Sequence, residues 1–240
     1  MNLARLACLG GVAIGALVAW SPQANAALVC GFSSCTETVS TTLQTAGTGG
    51  NLGFTQYDPA THGGGASLSS VVYSLIGHVQ GRMRAEELGS GATLFLSLQA
   101  TINALKPGPA GVVSVVTPLF TNAPGGFVAT AYDGLTDFGG TSGTDITVPS
   151  SVAGPSVNVL SAPADLLLFT GLGTVLVPYT SGSNSIATGS GDVTSIFNTN
   201  FDMSLTITYN FENNDVPEPA SLALLGLGLA GLVGMRRRKA

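Results

Sequence analysis

The feature that most limits this chain is the alternation from Thr93 to Leu105. Leu94, Leu96, Leu98, Ala100, Ile102 and Ala104 fall at every second position, with Ser97, Gln99, Thr101 and Asn103 between them. Successive side chains of a strand point to opposite faces, whereas a helix repeats every 3.6 residues. Six apolar residues at period two predict a long half-buried strand, ended by Lys106-Pro107-Gly108-Pro109. The same period runs through Leu68–His78 and through Phe201–Phe211, where Met203, Leu205, Ile207 and Tyr209 face inward. Arg82, Arg84 and Glu86 share a face opposite Met83 and Ala85, which predicts a separate strand with one wet face.

Shorter strands are expected at Thr36–Thr45, Val112–Val116, Phe127–Ala131, Leu166–Thr170 and Thr174–Val177, divided by Gly, Pro, Ser or Asp clusters. Ala46–Leu52 reads as a Gly-rich loop and Phe54–Gly65 as turn chemistry. No amphipathic helix is expected between Ala27 and Asn214. The fold class that follows is all-β, an antiparallel, jelly-roll-like β-sandwich. No fixed-period repeat is visible, which disfavours a solenoid or propeller.

The two ends have a different character. Met1–Ala26 carries Arg5, an apolar stretch from Leu6 to Trp20 and the A-x-A sequence Ala24-Asn25-Ala26. That is the order of a secretory signal peptide, a short helix removed by signal peptidase between Ala26 and Ala27. At residues 215–240, Pro217-Glu218-Pro219 precedes an uncharged apolar run, Ala220–Met235, and then Arg236, Arg237, Arg238 and Lys239. Sixteen residues of helix would span about 24 Å, short of a bilayer core of about 30 Å. Snorkelling arginines and local thinning close the gap, and the cations stay cytoplasmic. A C-terminal transmembrane helix is therefore expected. The two prolines keep the strip before it extended, in a form that suits a protease cleft. The domain plan is 1–26 signal peptide, 27–214 β domain and 215–240 sorting or anchor segment.

Pro-Glu-Pro, a hydrophobic helix and an Arg cluster, in that order, resemble the PEP-CTERM sorting signal of Gram-negative, exopolysaccharide-producing bacteria. The resemblance implies processing at Pro217, Glu218 and Pro219 by exosortase, a membrane Cys protease. It implies a transient inner-membrane anchor, then the cell surface or extracellular matrix, in a role linked to exopolysaccharide or biofilm. A second resemblance runs through the β region. Tyr57-Asp58-Pro59 precedes Leu68-Ser69-Ser70-Val71, and Asp133-Gly134, Asp137-Phe138-Gly139-Gly140 and Ser142-Gly143 follow. Phe169–Val175, Gly189–Asp192 and Leu205–Tyr209 complete the order. Together they look like the choice-of-anchor E domain, with a longer loop after Pro59 and Asp192 in place of Asn. That family has no assigned catalytic residues, so none is carried over.

Between Ala27 and Val216 three cations, Arg82, Arg84 and Lys106, face twelve acids, a net charge of −9. An acidic surface argues against nucleic acid as a partner. Cys30 and Cys35 lie in an oxidising compartment and are expected as a disulfide closing a small loop. His62 and His78 belong to no metal-spaced cluster, and no G-x-S-x-G elbow, Walker motif or dinucleotide fingerprint occurs. A non-enzymatic surface protein is the first expectation, with no catalytic residue. A carbohydrate-binding module is the second; against it, the only tryptophan, Trp20, lies in the signal peptide. A secreted hydrolase ranks last. No cofactor is expected, with one exception. Asp133, Asp137 and Asp145, among four glycines, offer oxygen ligands of the kind Ca²⁺ takes. The alternative is a loop whose aspartates cap their own turns.

Overall fold

A computed structural model describes residues 23–62, 64–108, 111–189 and 192–212. Residues 1–22 of the expected signal peptide and the whole expected membrane helix fall outside them. Among the described residues no helix is long and apolar enough to cross a membrane.

In chain order the elements are β1 (Gln23–Asn25), β2 (Val29–Cys30), β3 (Ser34–Thr41), β4 (Gln44–Thr45), β5 (Gly49–Thr55), α1 (Pro59–His62), β6 (Leu68–Glu87), β7 (Ala92–Leu105), β8 (Val112–Val116) and β9 (Leu119–Thr121). They continue with β10 (Phe127–Ala129), β11 (Gly143–Leu160), α2 (Pro163–Phe169), β12 (Thr174–Ser183), β13 (Ile186–Thr188) and β14 (Val193–Phe211). One sheet runs β1-β3-β14-β6-β11, with β2 on β3 and β4 on β14. The other runs β10-β7-β12-β5, with β8, β9 and β13 also on β7. Every strand pairing in both sheets is antiparallel. The described residues form a mostly β domain of two antiparallel sheets around one core.

The period-two residues build that core. Leu94, Leu96, Leu98, Ala100, Ile102 and Ala104 of β7 are buried, and so are Met203, Leu205, Ile207 and Tyr209 of β14. They meet Val71, Tyr73, Leu75, Val79 and Met83 of β6 in a single cluster. One lateral edge is closed by a carboxylate. Glu37 on β3 is nearly buried and accepts the Thr55 N–H of β5 at 2.7 Å, while the Tyr209 hydroxyl donates to the Thr55 carbonyl at 2.7 Å. The last peptide groups of the edge strand β5 thus find partners on the opposite sheet.

Five expectations are corrected. Leu68–His78 and the Arg82 segment are one strand, β6, which runs through Gly77 and Gly81 without a break. Ala46–Leu52 is not all loop: Gly49–Thr55 is a strand, and its glycines make room for a neighbour, since a Cβ on Gly50 would lie 2.9 Å from the Tyr179 hydroxyl. Leu166–Thr170 is not a strand. Leu166–Phe169 falls in the helix α2, which Pro163 opens with Asp165 in its first turn, and Thr170 is its extended C-cap. Proline is pre-set for the first helical turn, and an acid there meets the positive end of the helix dipole. The expected absence of helix fails at α1 and α2, both short. The eighteen-residue strand β11 had no counterpart among the expected strands.

The domain has two ends. β6 starts, and β7 and β14 finish, at the end that also holds α1, the β2–β3 hairpin and α2. At the opposite end β6 finishes, β7 and β14 begin, and residues 130–142 form the loop entering β11.

Candidate functional site

The loop of Tyr132–Asp145 is built over the end of β6. Ser142 is fully buried and donates to Glu86 Oε1 at 2.6 Å, and Ser142 O accepts the Glu87 N–H at 3.0 Å. Glu86, expected on a wet face, is fully buried beneath this loop. Its neighbour Glu87 is fully buried on the other face of the strand, with Oε1 accepting the Gly89 N–H at 3.0 Å. The Oε2 atoms of both glutamates have no hydrogen-bond partner among the described residues. Arg84 stacks over the Phe138 ring at 5.2 Å, and Arg82 clamps Asp145 through Nε and Nη2. Those bonds hold the Asp145 carboxyl below the usual carboxylate range.

The three aspartates are thereby occupied separately. Asp133 Oδ1 accepts the Leu135 N–H at 2.9 Å and Asp137 Oδ1 accepts the Gly139 N–H at 2.8 Å, both Asx turns. Asp145 lies on β11 with Arg82. Among the described residues no three acidic, His or Cys side chains gather as a metal-binding group. His62 Nδ1 accepts the Asp58 N–H at 3.0 Å, and His78 pairs with Asp202 across β6 and β14 at 2.9 Å. Both histidines serve local structure.

A shallow groove of about 340 Å³ lies on the outer face of the second sheet. Its floor is Phe95 and Ser97 of β7, flanked by Thr121–Gly125 on one side and by Ile186 and Thr188 of β13 on the other. Phe95 and Ile186 are about half exposed. Asn122 shapes the wall. Its side chain accepts the Leu96 N–H at 3.2 Å and donates to Leu94 O at 3.0 Å, standing in for a strand partner while the chain bulges outward. No ionisable side chain lines the groove. Phe95 and Asn122 were not among the residues singled out from sequence; their only local signal is the turn Asn122-Ala123-Pro124-Gly125-Gly126.

At the other end, Cys30 and Cys35 are joined by a disulfide across the β2–β3 hairpin, with Cα atoms 3.9 Å apart. The A-x-A alanines lie beside the same strand: Ala24 pairs with Ser40 in β1, and the Ala26 N–H donates to Thr38 O at 3.0 Å. Ala27 follows as an exposed residue. β14 closes the fold. The Phe211 N–H donates to Ser33 O at 3.1 Å, and its ring stacks on Tyr57 at 5.2 Å. Glu212, Asp215, Pro217, Glu218 and Pro219 follow within eight residues of this last strand position. Residues 215–239 match the PEP-CTERM protein-sorting motif. The PEP-CTERM signal implies export, a transient membrane-anchored state and surface sorting by exosortase. The sorting residues Pro217, Glu218 and Pro219 and the cations Arg236–Lys239 lie outside the described residues.

No curated protein matches the chain. Two solved structures of infectious bursal disease virus, of the Gt and Gx strains, align with 14% and 12% identity. They cover 88% and 90% of this chain, each at a TM-score of 0.11. The chain spans about half the length of those viral chains, 45% and 49%. The PEP-CTERM match therefore carries what is said of function.

Proposed function

We propose that this is a non-enzymatic surface protein: a β-sandwich of the choice-of-anchor E type, exported, held briefly by its PEP-CTERM tail, and released or displayed by exosortase in an exopolysaccharide or biofilm setting. One observation supports this above the others: the sorting motif begins four residues after the last strand of a folded β domain. Folded cargo and address are then separate, and exosortase can act on the address without touching the fold. The acidic Tyr132–Asp145 loop sits at the end of the domain away from the tail, the end such a protein would present outward.

Replacing Pro217, Glu218 and Pro219 with alanine in the full chain, expressed in a host that carries exosortase, is expected to abolish processing. The protein should stay in the inner-membrane fraction with its tail attached, and deletion of exosortase should give the same result with the unaltered chain. Unchanged size and export would leave a plain membrane anchor instead.

The groove at Phe95 favours a second reading, binding of a neutral saccharide. An exposed ring can stack on the apolar face of a sugar while Ser97, Thr121 and Thr188 offer hydroxyls, and the absence of charge suits an uncharged ligand. Such sites are mostly apolar with a few placed polar groups. Burying the half-exposed ring is worth on the order of 1.4 kcal/mol, so Phe95→Ala should weaken binding roughly tenfold. A glycan array followed by titration of the wild type and Phe95→Ala checks this. Equal affinity of the two proteins for every glycan retained would remove the groove from consideration.

A further inference from the structure

The end of the domain from which the sorting tail leaves is unusually apolar. The five most exposed large apolar side chains among the described residues are Leu172 (89%), Phe32 (83%), Val128 (73%), Leu167 (73%) and Val29 (69%). Four of these lie at the tail end, and only Val128, on β10, lies elsewhere. Their placement follows from the fold. Phe32 tips the disulfide-closed β2–β3 hairpin, whose Ser33 carbonyl receives the Phe211 N–H. α2 and the turn after it cross from the edge of one sheet to the other and cap the sandwich. Phe169 is buried on Tyr73 and Tyr209, which leaves Leu167 and Leu172 on the outer side of the cap. Thr170 bridges to Tyr57, and Tyr57 stacks on Phe211. Leu172 is thus two residues from the ladder that abuts the chain's exit.

The chain beyond that exit is short. Residues 213–219, seven in number, join Glu212 to the apolar run that begins at Ala220. Fully extended they reach about 25 Å. β6 alone has 20 residues, up to about 65 Å of strand. With about 25 Å of tether on a domain whose longest strand runs up to about 65 Å, the end that carries the tether stays close enough to the surface to touch it. Exposed leucine and phenylalanine beside a bilayer partition into the headgroup–acyl boundary. The ionisable groups at this end include Asp58, His62, the Lys106–Asp165 pair and Glu212, with no excess of cations. Contact with lipid would come from apolar insertion and not from attraction to anionic headgroups.

We propose that, while the PEP-CTERM tail is in the membrane, the domain stands end-on upon the bilayer with Leu167, Leu172 and Phe32 inserted at its surface. This rests on the tail being membrane-held, as read above. The contact would fix the stretch around Pro217 at the membrane face, where a membrane protease works, and would leave the Tyr132–Asp145 loop pointing outward.

The only tryptophan is Trp20, so a Trp20→Phe background permits single-tryptophan probes in the full chain. Leu172→Trp and Leu167→Trp are compared with Leu135→Trp and Val128→Trp, which replace exposed residues away from this end. The chains are reconstituted in phosphatidylethanolamine–phosphatidylglycerol vesicles, with and without lipids brominated near the headgroup. Emission of the first two is expected to be blue-shifted and lost in bromolipid, in low and high salt alike. Emission of the last two should stay solvent-like. Flotation after an alkaline wash separates the two readings. Chains that do not float remove the anchored tail. Chains that float with unquenched Leu172→Trp and Leu167→Trp overturn the end-on contact. A blue shift without bromine quenching would place a second copy of the chain on this surface, and a shift that appears only with exosortase present would place the protease there. Either outcome overturns the lipid contact.

Discussion

Leu98→Glu is expected to unfold the domain. Leu98 is fully buried at the middle of β7, with Phe120 of β9 as its cross-strand partner. It reaches across the sandwich to the opposite sheet, where a Cβ on Gly81 would lie 3.4 Å from Leu98 Cδ2. A glutamate there places a carboxyl between two apolar layers with no cation in the core. Burying an unpaired charge, or neutralising it to avoid that, costs several kcal/mol, and the loss of leucine packing adds about 2–5 kcal/mol. Domains of this size hold about 5–15 kcal/mol in total. Far-UV circular dichroism of the variant should lose its β signal at room temperature, without a cooperative melt. Leu98→Met, which conserves volume, should cost less than about 1.5 kcal/mol and keep the transition. A cooperative wild-type-like melt of Leu98→Glu would mean that β7 does not face the core.

The strands that could be read from sequence are those with one wet and one buried face. β7, the second half of β14 and the first part of β6 alternate because their two faces meet different media. β11 could not be read this way. It is the edge strand, and most of its residues are exposed or half exposed on both faces. Burial imposes no period there, and Pro149 and Pro155 look like breaks when they lie at its two register shifts. β5 failed for the opposite reason. Its glycines suit a close neighbour, the Tyr179 ring and backbone, and a close neighbour leaves no trace in a local pattern. α2 contains Leu166, Leu167 and Leu168, an apolar run that fits strand or helix equally, and Pro163 should have decided it.

Sites divide along the same line. The sorting motif is contiguous and read by its order, so it is visible without a fold. The groove joins Phe95, Asn122 and Ile186 from three distant segments, and only the register of β9 and β13 on β7 brings them together. Glu86 shares the spacing of Arg82 and Arg84, and nothing local reveals that residues 138–143 fold back over it.

Gly81→Ala is expected to be the most damaging of the small substitutions, because a main-chain atom of the neighbouring strand stands where its Cβ would go. Gly81 has φ +157, at the margin of what side chains accept, and it pairs with Thr199 on one side and Val148 on the other. A Cβ there would overlap the Asn198 carbonyl oxygen, a backbone atom of the main ladder. Relief requires β6 and β14 to part, since no side chain can swing aside. Strained backbone costs about 1–3 kcal/mol and overpacking about 1–3 kcal/mol more, so a loss of about 2–6 kcal/mol follows. Gly77→Ala is the control on the same strand. Its Cβ would meet Ile102 Cδ1 at 2.6 Å and Val116 Cγ2 at 2.7 Å, the movable ends of side chains. That variant should lose only the overpacking share. Urea titration of both separates the two costs. If Gly81→Ala proved no worse than Gly77→Ala, β6 and β14 would have room to part at Asn198, and the close backbone approach there would not constrain the ladder.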